Sequence, residues 1–170
     1  MKKICMILAP KNFRDLEFIV PKAFFEVNNF EIITTSTEFI SEGRFGYIQN
    51  HQKTIYELQN ELFDAVVFVG GVGSLDLGQD EIVKNFTIKH IQNNKIIASI
   101  CASPRNLLKW GVVSGKKLTG NNWDNNFENL AREAGAKAEN KGLVIDENLI
   151  TAYGPENVEE FSLAIIKALS

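Results

Sequence analysis

Apolar positions in this chain change their spacing at intervals, and the changes mark out alternating strands and helices. Ile4 to Leu8 is a short continuous apolar run that reads as a buried first strand. Asp15 to Asn28 then places Leu16, Ile19, Val20, Ala23 and Val27 at helical spacing, so these positions are expected to face the core. Pro21 should kink this helix or lie near its first turn. Phe18 and Phe25 fall outside the stripe. That predicts a helix apolar on more than one face, with the spare face covered by a second copy of the chain in a homodimer.

The β-branched run Ile32-Ile33-Thr34-Thr35 makes Glu31 to Ser36 a strand. Phe39 to His51, with Gly43 and Gly46, reads as a loop or short hairpin. Asp64 to Val69 and Ile96 to Ile100 are almost wholly apolar, as central parallel strands are. Asp80 to Asn93 is helical, with Ile82, Val83, Phe86 and Ile91 inward, and a further helical pattern starts at Ser103-Pro104. Lys117 to Thr119 is a short strand, and Phe127 to Ala134 is a helix closed by Gly135. Leu143 to Asp146 and Leu149 to Ala152 flank Glu147-Asn148 as a hairpin, and Val158, Phe161, Ser162, Ile165 and Leu169 define the inner face of a last helix. The alternation predicts one α/β domain over residues 1–170. It should be a three-layer sandwich whose mostly parallel, flavodoxin-like sheet has helices on both faces and a ligand site beyond the carboxyl ends of the strands.

Three of those strand ends carry chemistry. Ile100 runs into Cys101, and a helix begins within three residues; the cysteine is either a buried structural residue or, as the strand-turn-helix context favours, a nucleophile on an elbow beside first-turn amides, a setting expected to favour thiolate. Cys5, inside the first strand, is expected to be inert. Gly70-Gly71-Val72-Gly73 is too short for a dinucleotide or P-loop fingerprint, so its glycines either form a plain tight turn or bring backbone amides to a ligand. In the second case an amide near Gly71 and that of Ala102 make an oxyanion hole. Glu17, in the first turn of the first helix, is either a solvated carboxylate or the partner of Cys101, as a base or as a protonated donor. Asn121, Asn122 and Asp124 are expected mainly in turn and capping roles. His90 should lie in solvent and His51 outside the site, and no spacing suggests a metal or other cofactor.

Composition narrows the partners. A net charge of −3 gives no general reason to bind nucleic acid or an anionic membrane, and no run approaches a membrane span, so a small ligand is expected. Met1-Lys2-Lys3 before five apolar residues lacks the length and cleavage site of a signal peptide. Two cysteines make no disulfide framework, and a reducing cytoplasm is the expected compartment.

Taken together, Glu17-Phe18-Ile19-Val20-Pro21, Val66-Val67-Phe68-Val69-Gly70-Gly71, Ser99-Ile100-Cys101-Ala102-Ser103-Pro104 and Leu149-Ile150-Thr151-Ala152-Tyr153-Gly154-Pro155 resemble the Parkinson disease protein 7 / PfpI-like superfamily, which has the class I glutamine amidotransferase fold. The resemblance spans the chain. It implies that Cys101 is a reactive nucleophile, Glu17 its carboxyl partner and Gly71 with Ala102 the amide donors, while Gly70, Ser103, Asn121 and Tyr153 are pocket candidates. Two departures bear on activity. PfpI-like proteases carry a histidine where this chain has Ala102, and the Parkinson protein carries one where it has Asn121, so proteolysis is not expected. Tyr153 stands where relatives have arginine, which weakens the case for an anionic ligand. Two readings stay open. One is a glyoxalase- or deglycase-like enzyme acting on small reactive carbonyls. The other is a non-enzymatic redox or chaperone-like protein whose cysteine is oxidised to sulfinate.

Overall fold

The computed structural model describes residues 1–170. In chain order the elements are β1 (Lys3–Ile7), β2 (Lys11–Phe13), α1 (Asp15–Val27), β3 (Glu31–Thr35), β4 (Ile40–Gly43), β5 (Ile48–Asn50), α2 (Ile55–Leu58), β6 (Ala65–Phe68) and α3 (Glu81–Gln92). There follow β7 (Ile96–Ile100), α4 (Pro104–Lys109), β8 (Lys117–Leu118), α5 (Phe127–Glu133), β9 (Lys137–Ala138), β10 (Leu143–Asp146), β11 (Leu149–Ala152) and α6 (Val158–Leu169). The main sheet runs β10-β11-β7-β6-β1-β3, and only β10 is antiparallel. It is the expected mostly parallel α/β sandwich. Both faces of β6 and β7 are covered, so every residue of the two strands is buried.

Register explains where the site forms. Ile7 lies opposite Phe68, Phe68 opposite Ser99, and Ser99 opposite Thr151. The residues that follow each strand therefore emerge along one edge of the sheet, which brings Gly70, Cys101 and Tyr153 to a common rim.

Helix α1 corrects the sequence reading. Leu16, Ile19 and Val27, expected in the core, are 52, 38 and 77% exposed, whereas Phe18 and Phe25 are fully buried. Both faces of this helix are apolar, and the larger aromatic rings win the interior because they remove more surface from water. Phe18 meets Phe13 and Tyr47 edge-on, with ring centroids 5.8 and 5.7 Å apart, and Phe25 does the same with Phe30. A partner copy resting on Phe18 and Phe25 is ruled out by that burial. Pro21 lies inside the helix on the buried side.

His90 is also corrected. It is wholly buried between Phe63 and Phe86, accepts the Phe63 N–H at Nε2 (3.0 Å) and donates from Nδ1 to the Phe86 carbonyl (2.7 Å). Burial holds its pKa below the ordinary histidine value. The loop or hairpin expected over Phe39 to His51 is the antiparallel pair β4–β5, which joins β2 in a second, three-stranded sheet. The pattern had not shown β2, α2, β9 or the 3₁₀ turn Val72–Gln79, all too short to carry a period. No helix is long and apolar enough to cross a membrane.

Candidate active site

Cys101 adopts φ +64°, a left-handed conformation that costs a non-glycine residue about 1–2 kcal/mol. Neighbouring bonds hold it there. Its N–H donates to the Ala152 carbonyl at 3.0 Å, and its own carbonyl accepts the Asn121 N–H at 2.8 Å. Beneath it the buried Ser103 hydroxyl joins the Ser99 hydroxyl (2.7 Å), accepts the Ile100 N–H (3.1 Å) and reaches the Phe68 carbonyl (3.1 Å), fastening β7 to β6. Ser103 thus supports the elbow from below and is no pocket residue.

Helix α1 delivers Glu17 to the same point. The residue is fully buried; the Cys101 thiol and the Gly70 N–H are its polar neighbours, and neither makes a well-aligned hydrogen bond to the carboxyl. Gly70 lies between the two side chains: a β-carbon there would overlap Glu17 Oε2 and stand 2.5 Å from the Ile100 carbonyl oxygen and 2.7 Å from Cys101 Cβ. Any side chain at position 70 would force the carboxyl and the cysteine apart. Gly71, at φ +99°, takes a backbone shape that favours glycine, and its amide faces the sulfur together with that of Ala102. These are the two amides expected for the oxyanion hole.

Burial pushes the Glu17 carboxyl up to about 7, against the lowering influence of the Cys101 thiol, the Arg14 charge and the Gly70 N–H. Burial first, and the Glu17 carboxylate second, push the Cys101 thiol up to about 12, against the Gly71 and Ala102 amides. The elbow therefore does not by itself favour thiolate. Helix α4 has only six residues, and its pull on the sulfur is outweighed by desolvation. Carboxyl and thiol act on one another: the thiol lowers the carboxyl's pKa and the carboxylate raises the thiol's, so the carboxyl is the first of the two to ionise. Cys5, wholly buried with its pKa raised further, has no such partner.

The rim is built from the loop after β8. The Asn121 side chain accepts the Trp123 N–H (3.1 Å), Asn122 accepts that of Phe127 (2.8 Å), and Asp124 accepts that of Asn126 (3.1 Å), the turn and capping roles expected of all three. Arg105, on the first turn of α4, ties this loop to the elbow. It binds both Asp124 oxygens at 2.9 and 2.6 Å, donates to the Asn121 carbonyl at 3.1 Å and lies 3.8 Å over the Trp123 ring. Its guanidinium holds Asp124 down at about 2. Tyr153 is half-buried and lines a cleft of about 290 Å³ with Thr119, Gly120, Asn122 and Phe127.

His51 stays outside. Its ring nitrogens meet Ser41 (2.8 Å) and Thr34 (3.1 Å), and burial lowers it to about 4. Two contributors escaped the sequence reading. Buried Asp15 accepts the Phe45 and Tyr47 amides (3.0 and 2.9 Å), which docks the β4–β5 hairpin on α1, and Arg105 acts through a loop that has no pattern of its own. An acidic residue in a first helical turn was the only available signal for Asp15, and it pointed equally to solvent.

The family model described as DJ-1/PfpI family matches residues 2–168. The chain belongs to the DJ-1/PfpI family. Within that family it is similar to an uncharacterized protein of Methanocaldococcus jannaschii, 36% identical over 173 residues and covering 98% of this chain and 82% of that one. It is also similar to a deglycase of Thermococcus kodakarensis, 27% identical over 165 residues and covering 96% of this chain and 98% of the relative. Among solved structures, a ThiJ/PfpI domain protein from Brachyspira murdochii superposes with a TM-score of 0.90 at 27% identity, covering 98% of this chain and 95% of that one.

Proposed function

We propose that this DJ-1/PfpI family protein is a stress-related enzyme that acts on small reactive carbonyl compounds, in the manner of a glyoxalase or deglycase. The observation that carries the reading is the buried Glu17 carboxyl beside Cys101, with the Gly71 and Ala102 amides facing the sulfur. A deglycase among the relatives supports it. With methylglyoxal, the sulfur attacks the aldehyde carbon while Glu17 takes the thiol proton, and the amides stabilise the developing oxyanion. The oxyanion recovers the proton to give a hemithioacetal. Glu17 then removes the proton from the former aldehyde carbon and returns it to the adjacent carbon through an enediol, leaving a thioester. Water releases lactate and the free thiol, so the net change is addition of one water molecule.

Neither Ala102 nor Asn121 titrates near neutral pH, so Glu17 moves these protons alone and turnover is expected to be slow. Asn121→His should raise methylglyoxal turnover roughly tenfold to a hundredfold. Cys101→Ser should abolish it in either background. Steady-state assays check both. If neither the wild type nor Asn121→His turns over methylglyoxal, a second reading takes precedence, one favoured by the lack of an imidazole at the sulfur. There the thiol consumes two equivalents of peroxide, each reduced to water, and ends as a sulfinic acid beside Glu17. Both readings suit a reducing compartment such as the cytoplasm, where Cys5 and Cys101 stay free.

We further propose that two copies pair through the outward stripe of α1, because Leu16, Ile19 and Val27 are exposed on one helix with Ala23 between them. The double variant Leu16→Glu, Ile19→Glu should be monomeric by light scattering. A wild type that is already monomeric, or a double variant with the parent's mass, places any interface elsewhere.

A further inference from the structure

Arg14 immediately precedes α1, with extended backbone at the helix N-cap, and stands three residues before Glu17. Its main chain is fixed to the site. The Arg14 N–H donates to the Gly70 carbonyl at 2.9 Å, and a β-carbon on Gly71 would lie 2.5 Å from the Arg14 nitrogen. Its side chain, by contrast, is uncommitted. Arg14 takes part in no ion pair, whereas Arg105 is bound to Asp124 by two bonds. The Arg14 Nε is buried without a hydrogen-bond partner, and the guanidinium rests on the Phe45 ring, 4.8 Å from its centre. Its charge is felt at the reactive centre, where it lowers the Glu17 pKa while the exposed Glu156 acts weakly the other way. A planar cation with free donors, on a residue whose backbone is fixed to the Gly70-Gly71 turn, suits a carboxylate, which it can grip with two parallel bonds.

We propose that Arg14 is an anion-recognition residue at the mouth of the Cys101 site, and that the carbonyl compounds this protein prefers are 2-oxoaldehydes whose far end carries a carboxylate. The choice of 2-oxoaldehydes rests on the proposed function; the placing of an unpaired arginine on the loop that packs against Gly70 and Gly71 does not.

Two alkylating reagents read the charge directly. Iodoacetate and iodoacetamide both react by displacement, the sulfur–carbon bond forming as iodide leaves, and they differ in that only the first is an anion. The ratio of their rates at Cys101, followed by mass spectrometry of the intact chain, should be roughly threefold to tenfold higher in the wild type than in Arg14→Gln. Arg14→Lys should retain most of it. Salt on the order of 1 M should collapse the wild-type ratio, and this arm needs no variant to fold. A ratio that is the same in wild type and Arg14→Gln, or indifferent to salt, overturns the proposal. In turnover, kcat/KM for 4,5-dioxopentanoate should exceed that for methylglyoxal, and Arg14→Gln should erase the preference. Turnover of both compounds without a preference defeats the Arg14 proposal alone. If neither compound is turned over, the carbonyl reading fails, and the alkylation ratio still decides whether Arg14 governs anion access to the sulfur.

Discussion

Replacing Glu17 by glutamine is expected to stabilise the protein above neutral pH while abolishing turnover. Burial raises this carboxyl from 4.5 to about 7, so the folded state binds the Glu17 proton more tightly than the unfolded chain does. The sign follows from that. The stabilising contribution of the protonated carboxyl is complete below about pH 4.5, and it is lost as pH rises through about 7. The loss corresponds to about 3 kcal/mol, at 1.36 kcal/mol per pKa unit. Glutamine does not titrate and escapes it. Urea unfolding should therefore show similar stabilities for wild type and Glu17→Gln at the acidic end, and an advantage of about 3 kcal/mol for the variant on the alkaline side. A difference that does not change with pH would mean that Glu17 is not a strained, desolvated acid. Stability surrendered at a reactive centre is the usual cost of placing a charge where chemistry needs it.

Phe25→Ala is expected to cost about 3–5 kcal/mol, because its fully buried ring would leave a cavity that α1 and its neighbours cannot close. Leu16→Ala, one of the positions the helical spacing placed in the core, should change the stability of the single chain by no more than about 0.5 kcal/mol, read at protein concentrations low enough to separate any dimer. Chemical denaturation of the two variants separates the two assignments of the helix. Equal losses would return Leu16 to the interior.

That contrast shows where the chain's pattern was legible. Strands β1, β6 and β7 are buried on both faces and could be read almost directly, as could α6, whose Val158, Phe161, Ser162, Ile165 and Leu169 all turn inward as expected. Helix α1 was placed correctly along the chain and wrongly about its axis, because apolar spacing cannot choose between two apolar faces; side-chain volume can. His90 beside Lys89 looked like a surface residue, yet the hydrogen-bonding needs of the Phe63 and Phe86 backbone drew it inside. At the site, Cys101, Glu17, Gly70 and Gly71 were recognisable from strand ends and the family's motifs, and they converge as expected. The protonation balance was not legible. It depends on how completely water is excluded from Glu17 and the sulfur, a property of the packed fold that no local motif records.

The central claim is that Cys101 and Glu17 act as one titrating unit. The most direct test is the rate of Cys101 alkylation by iodoacetamide as a function of pH, in wild type and in Glu17→Gln. In the wild type the rate should rise as the carboxyl ionises near pH 7 and its anion exchanges the remaining proton with the thiol, then level off, because the charge rests mainly on the carboxyl and holds back the second proton. In Glu17→Gln the step near 7 should vanish and the rate should keep climbing with pH, as it does for an isolated thiol. Superimposable profiles for the two proteins, with one midpoint at the ordinary thiol value of about 8.5, would contradict the account.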